Sequence, residues 1–304
     1  MSEEMRIGNT RLIRLFGIER VFGAQCRLFA KAEYENPSGS VKDRAAFYMI
    51  NDAEKRGLIS KGDCIVEATS GNLGISLSYL ALRLGYSSVI VMPDSSGAER
   101  KKIITELGGR VIEVSGGMSE AERVAEEYAK KHKNCFTPCQ FTNKQNALAH
   151  YFTTAPEIYS DIKGEIDAFV VGVGSGGTVS GVGRYLKERE PSVRIVAVEP
   201  EGSRVLSGGA PSPHKIVGIG ANFLPPLFDR LLVDEIIAVG DDEAMAFTMA
   251  LARCERIFVG ISSGAVLCAA LKLVRSYSLR DKSIVMLFAD GADRYFFHKN
   301  VDKV

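Results

Sequence analysis

No surplus of one charge sign is present in this 304-residue chain: 38 Lys and Arg stand against 37 Asp and Glu, a formal charge of +1. Proteins that grip nucleic acid or anionic membranes draw on excess Lys and Arg, so the balance argues against both partners. No apolar run approaches the roughly 20 residues that cross a bilayer, and the opening Met-Ser-Glu-Glu-Met-Arg is acidic where a secretory signal is basic and then apolar. A cytoplasmic location is expected. Cys-x-x-Cys spacing is also missing: the six cysteines lie scattered at 26, 64, 135, 139, 254 and 268. A chain of this size needs no disulfide framework. Cys135 and Cys139 have only His132 as a nearby imidazole, short of the four ligands of a zinc site, so no metal is expected and the cysteines read as buried apolar thiols. Solenoid repeats, low-complexity tracts, blocks of like charge and a Pro- or Ser-rich linker are likewise absent.

What is present is an alternation of short β-branched runs with longer helical patterns. Strands are expected at Cys64–Glu67, Ser88–Met92, Arg110–Val114, Asp167–Val171, Arg194–Val198, Ile236–Val239 and Ser283–Phe288. That order predicts an α/β fold with open, mostly parallel twisted sheets flanked by helices. The polar stretch Gln140–Gln145 marks a crossing between lobes near residue 143. In open parallel sheets the functional loops lie beyond the carboxyl ends of strands, where helices begin.

Four loops occupy such places. Gly172-Val-Gly174-Ser175-Gly176-Gly177-Thr178 follows a strand and opens a helix, offering unobstructed backbone N–H groups and two hydroxyls to an anion. The same glycines match a dinucleotide fingerprint, with Glu199 at the end of the next strand placed for a ribose, so a nicotinamide dehydrogenase and a single-phosphate site both remain open. Asn36-Pro-Ser-Gly-Ser-Val-Lys42-Asp-Arg44 puts a lysine in a first helical turn, where the dipole lowers its amine pKa and favours nucleophilic chemistry. Thr69-Ser70-Gly71-Asn72 suits a small carboxylate, or is an ordinary helix cap. Gly260-Ile-Ser262-Ser-Gly264 precedes an apolar helix in the same manner.

Together these motifs, with Gly218-Ile-Gly220 between them, occur in the order and approximate spacing of cysteine synthase, the O-acetylserine sulfhydrylase group of fold-type-II pyridoxal-phosphate enzymes, with related cystathionine β-synthases. The resemblance extends from Ile7-Gly-Asn-Thr10 through Gln140-Phe141 and Thr153-Thr154 to the last strand. It implies a tryptophan-synthase-β-like fold with a smaller mobile domain at 35–143 and a larger cofactor-binding domain from 1–34 plus 144–304. It implies pyridoxal 5'-phosphate as cofactor, Lys42 as its covalent anchor and later the base at Cα, and Asn72 on its ring oxygen. Gly174, Ser175, Gly176, Gly177 and Thr178 resemble the phosphate cradle, and Ser262 the hydroxyl facing the pyridine nitrogen. Thr69, Ser70, Gly71, Asn72, Gln140, Gly218 and Asn222 are similar to substrate-contacting positions. A neutral serine at 262 makes the ring a weaker electron sink and favours β-elimination. The implied reaction is β-replacement on an O-activated L-serine by way of α-aminoacrylate, with O-acetylserine and sulfide giving cysteine and acetate. A homodimer is implied as well.

Several positions depart from the family pattern. Leu73 stands where Thr or Met is common, Asn222 where Gly is usual, Ala155 where Gly is usual, and Arg11 where Pro is usual. Ala289-Asp-Gly-Ala-Asp-Arg-Tyr295 replaces a Pro- and Ser-rich version, with no appended regulatory domain expected beyond it. Asn222 adjoins the expected pocket, which keeps other chemistries open: an H2S-releasing cysteine desulfhydrase, a thiol-using synthase, or an enzyme of O-phosphoserine. A catalytically idle relative is the contrasting class, and retention of Lys42 argues against it. His132, His150, His214 and His298 fall outside the motifs and are expected on the surface or in polar packing.

Overall fold

Buried residues alternate along the strands so that each strand feeds two different cores, as a sheet covered on both faces requires. In the computed structural model, which describes residues 5–294, Val170, Val196 and Met286 point to one core while Phe169, Ile195 and Val285 point to another. The described strands are β1 Leu12–Arg14, β2 Arg27–Ala32, β3 Cys64–Ala68, β4 Ser87–Pro93, β5 Arg110–Val114, β6 Cys135–Phe136, β7 Ala168–Gly172, β8 Arg194–Pro200, β9 Glu235–Val239 and β10 Ser283–Phe288. The helices are α1 Phe16–Phe22, α2 Lys42–Lys55, α3 Asn72–Leu84, α4 Ala98–Glu106, α5 Gly117–Lys131, α6 Gln145–Ala149, α7 Ala155–Asp161, α8 Gly177–Arg189, α9 Asp241–Glu255 and α10 Ile261–Ser276. A π-helical turn, His150–Thr154, joins α6 to α7.

The strands form two sheets. The larger runs β1-β2-β10-β7-β8-β9, with every pairing parallel except β1 on β2. The smaller runs β5-β4-β3-β6 and is wholly parallel. Residues of α10 and α9 fill one core of the large sheet and residues of α7 and α8 the other; α2 and α3 cover one face of the small sheet and α5 its opposite face. The α/β class and the parallel arrangement expected from the alternation are those observed.

All seven expected strands form, with ends that differ by at most two residues. Three further strands escape periodicity. β1 and β6 hold three and two residues, too few to show an alternation. β2 contains Lys31, a charge that reads as solvent-facing, yet Lys31 is fully buried and its Nζ meets Glu157 at 2.8 Å and the Thr10 carbonyl at 2.6 Å. Among the described residues no helix is long and apolar enough to cross a membrane.

Candidate active site

Lys42 opens α2 between the two sheets. The backbone before it is pinned to the large sheet, since the Val41 N–H donates to the Ala289 carbonyl at 2.8 Å just past β10. The helix it begins packs Ala45, Ala46, Met49 and Ile50 into the core of the small sheet. The side chain is only half-buried, but its amine is withdrawn from water enough to push its pKa down to about 8. A lowered amine was expected from its place at a helix start, and burial is a cause that lowers it.

Two residues on, Arg44 secures this first turn. Its guanidinium is fully buried and meets Glu33 and Glu157, each at 2.7 Å, while Glu33 also accepts from Thr10 at 2.7 Å. Burial works to raise the Glu33 carboxyl, but Arg44, Thr10 and Lys31 overcome it and hold the group at about 2. A buried charge group is tolerable only when so fully partnered.

The glycine loop lies across the cavity from Lys42. Gly174, Ser175, Gly176, Thr178, Gly218 and Ser262 share that cavity with the lysine. Gly176 adopts φ +85° at the N-cap of α8, a conformation that favours glycine. The loop has no room for side chains: a Cβ on Gly174 would lie 2.6 Å from the Gly218 carbonyl oxygen, and one on Gly177 2.2 Å from Asn146 Oδ1. What remains is a bare backbone with the Ser175 and Thr178 hydroxyls, at the N-terminus of a 13-residue helix. This donor set fits one phosphate monoester, and with a lysine amine in the same cavity it fits pyridoxal phosphate.

Behind the loop lie two residues that the motifs did not mark. Asn146 is buried and its Nδ2 donates to Ser175 Oγ at 2.9 Å and to the Gln140 carbonyl at 2.8 Å. His150 is buried between Thr154 Oγ1 at 3.0 Å and Thr178 Oγ1 at 3.2 Å. Burial, reinforced by Arg44, depresses His150 to about 3, so the ring is neutral. Polar packing is thus the right description of His150. His132 instead stacks on Tyr128 at the surface, and His214 bonds the Gly220 carbonyl at 3.0 Å. His298 and Tyr295 lie outside the described residues.

The other expected residues divide. Gln140 is buried with its Oε1 3.5 Å from Lys42 Nζ. Thr69 is buried and its Oγ1 accepts from the Gly71 N–H at 3.2 Å, while Ser70 is exposed at the turn. Asn72 does not line the cavity: its Nδ2 donates to Asp290 Oδ2 at 2.7 Å and its Oδ1 accepts from Arg294 Nη1 at 2.6 Å. Asn222 is exposed at φ +62°, and its Oδ1 accepts from Ser203 Oγ at 2.7 Å. Leu73, one of the departures from the family pattern, is buried in the core of the small sheet.

Two expectations are corrected. Glu199 faces no nucleotide: it is buried, and its carboxylate accepts from the Leu206 N–H at 2.8 Å and from the Ser207 hydroxyl. The dinucleotide reading therefore loses the acid it required. The cysteines are not all buried as expected: Cys26 and Cys268 are, Cys64, Cys135 and Cys254 are half-buried, and Cys139 is exposed in the turn after Pro138 at φ +55°.

A family profile described as pyridoxal-phosphate dependent enzyme matches residues 3–290. The chain belongs to that family. Cysteine synthase of Staphylococcus aureus strain N315 is 42% identical to it over 292 residues, 95% of this chain and 93% of that one. Among solved structures, a hydrogen sulfide-producing enzyme from Fusobacterium nucleatum superposes with a TM-score of 0.93 at 39% identity, covering 97% of this chain and 99% of that one. An O-acetylserine dependent cystathionine beta-synthase from Helicobacter pylori gives a TM-score of 0.89 at 39% identity, with 95% of each chain covered. This pyridoxal-phosphate dependent enzyme accordingly has the fold-type-II arrangement, and its cofactor is the one that the bare glycine loop and the buried amine fit.

Proposed function

We propose that this protein catalyses β-replacement on O-acetyl-L-serine, with sulfide as nucleophile, to give L-cysteine and acetate. The observation that carries the reading is the single cavity holding the Lys42 amine, the Gly174–Thr178 loop and the Ser262 hydroxyl. Likeness to cysteine synthases across nearly the whole chain supports the choice of substrate. Bound pyridoxal phosphate supplies an electron sink for the charge that develops at the substrate Cα.

The chain's own residues do the rest. Lys42 would hold the cofactor through Nζ and move the proton at the substrate Cα; an amine poised at about 8 suits both tasks. The N–H groups of Gly174 to Thr178 and the two hydroxyls would hold the cofactor's phosphate. Ser262, which lines the same cavity, would offer a neutral hydroxyl to the pyridine ring, and Asn72, held by Asp290 and Arg294, would contribute its amide to the ring's polar substituent. Thr69, Ser70, Gly71 and Gln140 grip the substrate carboxylate, Asn72 adjoins that grip, and Gly218 and Asn222 flank the place where the nucleophile arrives. Residues 35–143 form the smaller domain and close over the larger one, excluding water from the cleft. The working form is a cytoplasmic homodimer.

A visible absorption titration tests this reading. The cofactor band is expected to move on addition of O-acetylserine and to return on addition of sulfide, with Lys42→Ala inert as the control. A band that ignores O-acetylserine but responds to cysteine or O-phosphoserine would replace the substrate and keep the family. The exposed Asn222, together with likeness to the hydrogen sulfide-producing enzyme of F. nucleatum, favours cysteine as the second reading.

A further inference from the structure

The edge strand β6 pairs with β3 for two residues only, Cys64 with Cys135 and Ile65 with Phe136. The ladder ends there for a local reason: Pro138 has no N–H to give, and Cys139 turns into the left-handed region at φ +55°. Non-glycine residues hold that conformation when their surroundings fix it. Here a side chain takes over from the sheet. Glu67, on β3 and almost fully buried, accepts the Cys139 N–H on Oε2 at 2.8 Å and is also hydrogen-bonded by the Gln140 backbone.

A carboxyl group is a costly means of satisfying two backbone donors inside a protein, since burial opposes its charge. Its position explains its use. Glu67 stands two residues before Thr69, so one side chain ties the start of the Thr69–Asn72 turn to the segment carrying Gln140. Gln140 is held from the other side by Asn146, which also holds Ser175 of the glycine loop. Between these two anchors the Gln140 amide is presented to Lys42 Nζ at 3.5 Å.

We propose that Glu67 is a positioning residue: through the backbone N–H groups of Cys139 and Gln140 it sets the Gln140 side chain where the substrate carboxylate binds. The proposal rests on the reading of Gln140 as a carboxylate contact. It does not depend on which amino acid is the physiological substrate, because every candidate carries the same α-carboxylate.

The test is a double-mutant cycle on the holoenzyme, using Glu67→Ala, Gln140→Ala and the double variant, with L-cysteine affinity read from the absorption of the bound cofactor. Each single variant is expected to weaken L-cysteine binding about tenfold, and the double variant to be no weaker than Gln140→Ala. The affinity for pyridoxal phosphate itself should stay unchanged, whereas a general loosening of the domain would lower it. Glu67→Gln, which keeps one acceptor oxygen, should recover most of the affinity. If Glu67→Ala does not fold, Glu67→Asp, whose carboxylate falls one methylene short of Cys139, runs through the same cycle. Losses that multiply in the double variant would overturn the proposal, as would an unaffected Glu67 variant beside an impaired Gln140→Ala. If Gln140→Ala alone binds L-cysteine normally, the carboxylate reading of Gln140 falls first and the proposal falls with it.

Discussion

Arg294 and Asn72, 222 positions apart in the chain, are joined by a hydrogen bond of 2.6 Å from Arg294 Nη1 to Asn72 Oδ1. The same guanidinium donates to the Ser38 carbonyl, so it ties the start of α3 to the loop that leads into Lys42. Arg294→Ala should destabilise the fold by about 2 kcal/mol, the scale of hydrogen bonds from a charged donor. Urea denaturation of the holoenzyme measures this, and an unchanged midpoint would show the contact to be energetically idle.

The pH at which Lys42 loses its proton governs how readily the stripped protein takes up its cofactor, because only the neutral amine attacks the aldehyde. With the amine at about 8, roughly one lysine in ten is neutral at pH 7. Uptake of pyridoxal phosphate by the stripped protein should accelerate up to about pH 8 and then level. A midpoint near 10.5, the ordinary lysine value, would mean that burial does not reach the amine.

Gly177 tolerates no side chain. Its Cβ would lie 2.2 Å from Oδ1 of Asn146, whose amide is committed to Ser175 and Gln140 and has nowhere to move. Gly177→Ala should therefore weaken pyridoxal phosphate binding by at least about tenfold. Gly71→Ala, with nothing within 4 Å of the new methyl, should bind the cofactor normally. Equilibrium dialysis of the two variants compares them directly, and equal affinities would remove Asn146 as the obstacle.

His150 makes the fold sensitive to acid. Its pKa is about 3 in the native state against about 6.5 when unfolded, so the unfolded chain binds a proton first. The associated stability is complete above pH 6.5 and is lost as pH falls towards 3, with a slope of up to about 1.4 kcal/mol per pH unit. Glu33, held at about 2, adds a loss of the same sign below about pH 4.5. Urea midpoints between pH 7 and 5 should fall for the parent and stay flatter for His150→Gln; parallel curves would contradict the assignment.

Asn222 can be replaced by glycine without backbone penalty, since both residues accept φ +62°. Asn222→Gly is thus a clean probe of substrate choice: turnover of cysteine relative to O-acetylserine should drop at least about threefold. A constant ratio would take Asn222 out of specificity.

The loops and the lysine were legible in the sequence because their chemistry is local. A glycine run between a strand and a helix announces a bare backbone, and a lysine at the first residue of a helix with an apolar face announces its own placement. Asn146 and His150 were not legible, because they look like ordinary helical residues until Ser175 and Thr178, 29 and 28 positions away, are folded against them. Arg294 and Asp290 were hidden by greater separations still. The missed strand β2 has the same origin, since Lys31 becomes a core residue only when Glu157 arrives from a distant helix.

The π-helical turn at His150–Thr154 gives one continuous rod two rotational settings. Asn146 of α6 and His150, the first residue of the turn, serve the glycine loop; after the turn, α7 delivers Glu157 to Arg44 and Lys31. A regular α-helix advances about 100° per residue, so the widened turn offsets one half of the rod from the other. Shortening the chain by a single residue within 150–154 would restore a regular helix and force a choice between a seated His150 and a seated Glu157. The spare residue is what lets one rod brace the glycine loop and the lysine's helix at once.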